Sequence, residues 1–201
     1  MRKDELIASV QKLILKQSVT QDSIKFVHPK VVEGEIAKAY STLMKTYYAD
    51  PRNLMDAELD FFAKKYTEEV QKDSDGFYYV DLPARLVQLT ANLGLRSVKP
   101  KGGTQSFVRT TEGFMETLRK LPAYCCLKDA YYYLDGNKIM LDFPMAEHAM
   151  VEEVYVKVLP LFEEFTDSDN IEFPGGDANA MNIILQTMGF RPTDNVNDDV
   201  R

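Results

Sequence analysis

The chain predicts an α+β fold: N-terminal helices, central antiparallel β-hairpins, then a C-terminal helix and a polar tail. Three observations carry that expectation. Residues 130–143, AYYYLDGNKIMLDF, set two apolar-rich runs on either side of Asp135-Gly136-Asn137, where Gly136 can supply the positive φ of a tight hairpin turn. A second hairpin-like unit surrounds Asp75-Gly76 and runs into FYYVDLPARLVQL. Apolar residues at helical spacing recur at both ends of the chain.

The elements follow in order. A first helix is expected from Glu5 to Lys16, with Asp4 as its cap. Leu6, Ile7, Val10, Leu13 and Ile14 form its apolar stripe. Ser18 to Asp22 reads as a break and Ile24–Val27 as a short extended piece before His28-Pro29. A second helix covers Val32–Tyr48, striped by Ile36, Tyr40, Leu43 and Tyr47 and stopped by Asp50-Pro51. A third, Leu54–Lys64, rests on Leu54, Met55, Leu59 and Phe62. Tyr66–Lys72 then pairs with Phe77–Leu82 across Asp73–Gly76, against the alternative of a helix continued through Val70.

Leu86–Leu89 is a further short apolar run. Gly94, Pro100, Gly102 and Gly103 make residues 92–111 rich in turns. Arg96–Val98 and Phe107–Arg109 are short extended pieces around a basic, mobile Lys99–Thr104 loop. Phe114, Met115, Leu118 and Leu121 mark a short helix before Pro122. After the Tyr131–Phe143 hairpin, Val154, Val156 and Val158 alternate with Glu153, Tyr155 and Lys157 as a strand ended by Pro160. Leu161–Phe173 is an acidic connection. The last helix is capped by Asp177, lined by Met181, Ile184, Leu185 and Met188, and stopped at Gly189. One domain over residues 1–191 is expected, with a helical part near 4–64 and a β-rich part near 66–159. A polar arm over 192–201 completes it.

Composition bounds the class. Of 201 residues, 45% are hydrophobic and 27% charged, ordinary values for a folded globular chain. No run approaches a membrane span, and the charged opening Met1–Glu5 is not a signal peptide, so the expected working place lies on the side of synthesis. The adjacent Cys125 and Cys126 are expected as reduced, buried small side chains, since a ring closed between neighbours strains the peptide joining them. The net charge of −7 is uneven. Residues 151–201 hold eleven Asp and Glu against Lys157, Arg191 and Arg201, a net −8, which argues against phosphate binding there.

No catalytic set is legible. His28 and His148 lack an HxxxH or CxxC companion, so no metal site is expected. There is no GxSxG, and neither cysteine has a histidine near it in sequence. Lys99-Pro100-Lys101-Gly102-Gly103-Thr104 lacks the GxxxxGK[ST] order in which backbone amides cradle phosphate. Glu152-Glu153 are neighbours on a strand, so their carboxylates point to opposite faces. No cofactor is expected. Tyr131, Tyr132 and Tyr133 put rings on both faces of one strand. Such a strand is either covered on both sides or has one face in the core and one, through Tyr131 and Tyr133, at a subunit contact.

The order of these pieces carries a resemblance. FYYVDLPARLVQLTANLGLRSVKP is followed by FVRTTEGF, YYYLDGNKIMLDF, the valine-rich strand, IEFPGGDANAMNIIL and a closing RPTDNVNDD. From about Tyr66 to Asp199 the chain resembles virion structural proteins of tailed bacteriophages, in particular the ring or head–tail connector (portal adaptor) proteins of crAss-like phages. The resemblance implies a non-enzymatic virion subunit, assembled in the host cytoplasm with copies of itself into a ring below the portal. Its other partners would be the portal and further connector or tail proteins. Double-stranded DNA would pass through the channel without sequence readout, and no membrane is implied. Candidate contact pieces are the loop with Lys99, Lys101 and Thr104, and the tail with Asp194, Asn195, Asn197, Asp198 and Asp199. The alternatives are a tail or baseplate component or, from another class, a small-molecule-binding or enzymatic α+β domain.

Overall fold

The computed structural model describes residues 1–17, 28–54, 60–144 and 151–190. The fold is α+β, with helices at both ends of the chain and strands between them. It divides into two compact units. One gathers the described residues of Met1–Phe62, Val87–Leu89 and Pro160–Arg201; the other holds those of Ala63–Leu86 and Thr90–Leu159.

The first unit is helical. Helix α1 (Lys3–Gln17) and helix α2 (Pro29–Tyr48) form where the apolar stripes require them, and α4 (Gly176–Thr187) packs on both. Leu6, Val10 and Ile14 of α1, Ile36 and Met44 of α2, and Met181 and Ile184 of α4 are fully buried. At the centre Tyr40 meets three rings, those of Phe162, Phe165 and Phe173, with centroids 6.0, 5.9 and 5.8 Å away. Tilted and edge-on contacts of this kind suit the ring quadrupoles.

Helix ends differ in detail from expectation. His28 caps α2, its imidazole accepting from the Lys30 amide at 3.3 Å, and Pro29 takes the first turn, where a missing N–H costs nothing. Asp4 and Asp177 do not cap their helices. Each lies in the first turn, where a carboxylate still complements the helix dipole. The cap of α4 is Gly175, at φ 81°; a Cβ there would come within 2.8 Å of the Asn179 side-chain nitrogen. Gly189, at φ 81°, follows α4 as expected of a stop.

The second unit is built on two sheets. One has the order β1 (Lys64–Glu69), β8 (Glu153–Val158), β4 (Leu95–Pro100), all antiparallel. The other runs β2 (Gln71–Lys72), β3 (Tyr78–Asp81), β7 (Lys138–Asp142), β6 (Tyr131–Asp135), β5 (Val108–Arg109). Its last pair, β5 with β6, is parallel. Val154, Val156 and Val158 of β8 share one apolar cluster with Val80, Tyr132, Ile139 and Leu141 of the second sheet.

Two expectations are corrected here. The helix continued through Val70 is absent, since Lys64–Glu69 is a strand whose alternate residues are sheltered against β8. The hairpin across Asp73–Gly76 is also shorter than its two runs. Only Gln71 and Lys72 pair with Tyr79 and Tyr78, because residues before Val70 take β8 as partner. Five residues of the expected Leu54–Lys64 helix, 55–59, lie outside the described ones, and residues 60–63 are not helical. Pro51–Leu54 is a 3-10 turn and Lys64 already opens β1. The Ile24–Val27 piece lies outside the described residues too.

The β6–β7 hairpin forms as read. Asp135 pairs with Lys138 around a two-residue turn in which Gly136 has φ 56°. Nothing lies within 4 Å of a Cβ placed on Gly136, so a substitution there meets backbone strain alone. Gly136→Val should therefore lower stability by about 1–2 kcal/mol in urea unfolding, and Gly136→Asn by clearly less, because Asn tolerates the left-handed region. Equal losses for the two would refute the strain account.

Candidate interaction site

Helix α3 (Glu112–Arg119) lies on the outer face of the five-stranded sheet. Thr111 starts it, its hydroxyl accepting from the Phe114 amide at 3.4 Å. Met115 is fully buried on Tyr131 and Tyr133, with Leu118, Tyr124, Leu127 and Met140 around them. The register puts Tyr131 and Tyr133 on one face with Met140 and Asp142, and Tyr132 on the other with Leu141. All three tyrosines are thus covered within the unit, at 9, 2 and 8% exposure. A neighbour approaching this side would meet α3 and its surroundings before the two rings.

What pins the helix is a polar network. Arg119 donates to Asp142 through Nε at 2.7 Å and pairs with it through its terminal nitrogen at 2.5 Å. The Tyr124 hydroxyl donates to the other oxygen of the same carboxylate. Asp142 is buried, so both contacts replace water it has lost. Burial, then the Asp142 hydrogen bond, pushes the Tyr124 hydroxyl well above its ordinary pKa. The guanidinium of Arg119 also lies 4.9 Å over the Phe77 ring. Arg119, Tyr124 and Asp142 are absent from the sequence-derived candidates. The only advance signal is the unpaired charge of Asp142 beside apolar strand residues.

Around α3 several large apolar side chains stay exposed. Phe114, on the first turn, is 54% exposed, and Leu121, just past the helix, is 49% exposed. Phe77, under Arg119, and Val108, opposite Tyr131, are 42% and 40% exposed. Phe114 and Leu121 are carried by α3 and the residues just past it, while Phe77 precedes β3 and Val108 lies on β5, toward the other side of the sheet.

At the far edge of this sheet Arg109 closes a turn. Its guanidinium donates to the carbonyls of Leu95 at 3.0 Å, Ala91 at 2.7 Å and Asn92 at 2.6 Å. Ala91 and Asn92 have φ of 52° and 56°, a left-handed pair that costs free energy without such a clamp. Burial, with the neighbouring Arg96 adding to it, lowers the Arg109 pKa, opposed by Tyr132.

The remaining candidates divide. Lys99 lies on β4 opposite Tyr155, so the expected mobile loop is narrower than read: a tight turn at Lys101–Gly102, with Gly102 at φ 80°. Lys101 is exposed and salt-bridged to Glu153 at 2.7 Å, which raises its pKa; Thr104 is exposed. Lys99 and Lys101 therefore belong to the three-stranded sheet, Tyr131 and Tyr133 to the other. Asp194, Asn195, Asn197, Asp198 and Asp199 lie outside the described residues, as does His148. The cysteines are corrected: Cys125 and Cys126 are free and exposed, with Sγ atoms 4.0 Å apart. They sit in the 3-10 turn Tyr124–Cys126, where Tyr124 is the residue held to Asp142.

Among the described residues no group of three or more His, Cys, Asp or Glu is placed to hold a metal ion. No helix among them is long and apolar enough to cross a membrane. No family model matches the chain, and no curated protein does.

Proposed function

We propose that this chain is a non-enzymatic structural subunit of a tailed-bacteriophage virion, forming an oligomeric ring in the head–tail connector below the portal. Its partners in this reading are copies of itself, the portal, other connector or tail proteins, and double-stranded DNA passing without sequence readout. The observation that carries the reading is the exposed pair Phe114 and Leu121, on α3 and just past it. Large apolar side chains left exposed on and beside one rigid helix suit a protein contact. The grip of Arg119 and Tyr124 on the buried Asp142 supports it by holding the helix rigid, so that little ordering cost falls on assembly. The ordered motifs of the sequence supply the kind of assembly.

Phe114→Asp with Leu121→Asp tests that pair. Both side chains are about half exposed, so the fold should survive with a near-unchanged unfolding midpoint. Incorporation into particles, measured by quantitative mass spectrometry of purified virions, should fall by about tenfold or more, as for loss of an interface hot spot. Incorporation at the unsubstituted level would overturn the assignment of the pair.

A further inference from the structure

We propose that Cys125 and Cys126 form a two-thiolate chelate for a soft monovalent metal cation, Cu(I) being the ion that fits. The site lies past α3 and stands whether or not the chain belongs to a ring.

The turn sets the pair. In a strand, neighbouring side chains point to opposite faces, and two adjacent thiols could not meet. Here both belong to the 3-10 turn Tyr124–Cys126. Backbone hydrogen bonds hold that turn from within. The Tyr124 amide donates to the Leu121 carbonyl at 3.0 Å, the Cys126 amide to Ala123 at 3.0 Å and the Leu127 amide to Tyr124 at 3.1 Å. The Tyr124 hydroxyl ties the turn to the buried Asp142. On this base the two thiols are exposed, with their Sγ atoms 4.0 Å apart and in contact with each other. An ion arriving there finds its two donors already placed, so little ordering opposes binding.

The separation decides the ligand. A disulfide needs sulfurs about 2.05 Å apart on Cα atoms at least about 4.4 Å apart, and neighbouring Cα atoms stand only about 3.8 Å apart across a trans peptide. Two metal–thiolate bonds of about 2.3 Å, opened to a tetrahedral or trigonal angle, hold their sulfurs about 3.8–4.0 Å apart. The 4.0 Å between Cys125 and Cys126 matches the second geometry.

The donors choose the ion. Thiolates are soft ligands and select Cu(I), zinc or iron–sulfur clusters. Structural zinc closes on four protein ligands and clusters take four thiolates. Among the described residues no third His, Cys, Asp or Glu completes such a set. Cu(I) is satisfied by two or three soft ligands, so the pair suffices, with a small thiol from the medium in any third position. Binding releases the two thiol protons to water and puts the cation where the sulfurs now touch, and no electron changes hands.

The test is a titration of the reduced full chain, kept free of oxygen, against Cu(I) held by bicinchoninate, whose visible absorbance falls as the protein withdraws the ion. One ion should bind per chain. Cys125→Ser and Cys126→Ser should each lower the affinity by about 100-fold or more, since either leaves one thiolate without its tethered partner. Both side chains are exposed, so the urea midpoints of the variants should stay near that of the parent chain. Parent-like affinity in either serine variant, or in Cys125→Ser/Cys126→Ser, overturns the proposal. So does one ion per two chains, which would make the ion a bridge between copies. A parent chain that is lighter by two hydrogens and has no titratable thiol would reveal a disulfide and overturn it as well.

Discussion

Asp142→Ala should cost about 2–4 kcal/mol of stability, the largest loss from a single polar residue in the β-rich unit. The carboxylate is buried and accepts from both Arg119 and Tyr124, so truncation strands a partly buried guanidinium and a hydroxyl together. Tyr124→Phe removes one donor and leaves the ion pair, and should cost about 1 kcal/mol. Urea unfolding separates the two, and a loss below that of Tyr124→Phe would contradict the network. A pH signature accompanies it. The folded pKa of Tyr124 lies above its unfolded value, so the hydroxyl binds its proton more tightly in the folded state. Its contribution is complete below pH of about 10 and is lost as pH rises further. Stability should thus fall more steeply above that pH in the parent chain than in Tyr124→Phe.

Tyr40→Ala should cost about 3–5 kcal/mol in the helical unit. Tyr40 is 1% exposed and its ring touches Phe162, Phe165 and Phe173, three residues brought from the acidic connection to the middle of α2. Removing the ring leaves a cavity lined by aromatic side chains too rigid to close it. Native-state hydrogen exchange should show α2 amides opening more readily by that amount. Protection within about 1 kcal/mol of the parent chain would mean that these rings are not the centre of the unit.

Local signals in the sequence were dependable where the structure itself is local. The β6–β7 hairpin follows from Asp135-Gly136-Asn137, and α2 from its stripe of Ile36, Tyr40 and Leu43. Long-range choices were not legible. Tyr66–Lys72 looks like one arm of a hairpin, but the chain divides at Val70 because the residues before it pair with β8, far along the sequence. The network at Asp142 draws on three separate segments, which no spacing rule anticipates. Lys3 shows the same limit. It reads as one charge in a polar opening, yet it is buried, donating to the Phe165 carbonyl at 3.1 Å and paired with Glu33 at 2.8 Å. The candidate sites were half legible: the adjacency of Cys125 and Cys126 is in the sequence, but their exposure and their meeting sulfurs are set by the turn.

The ring assignment is tested most directly by electron microscopy of purified particles, combined with identification of their proteins. This chain should lie at the head–tail junction, in equal copies arranged cyclically around the DNA channel. A protein that is strictly monomeric and absent from the particles would contradict it.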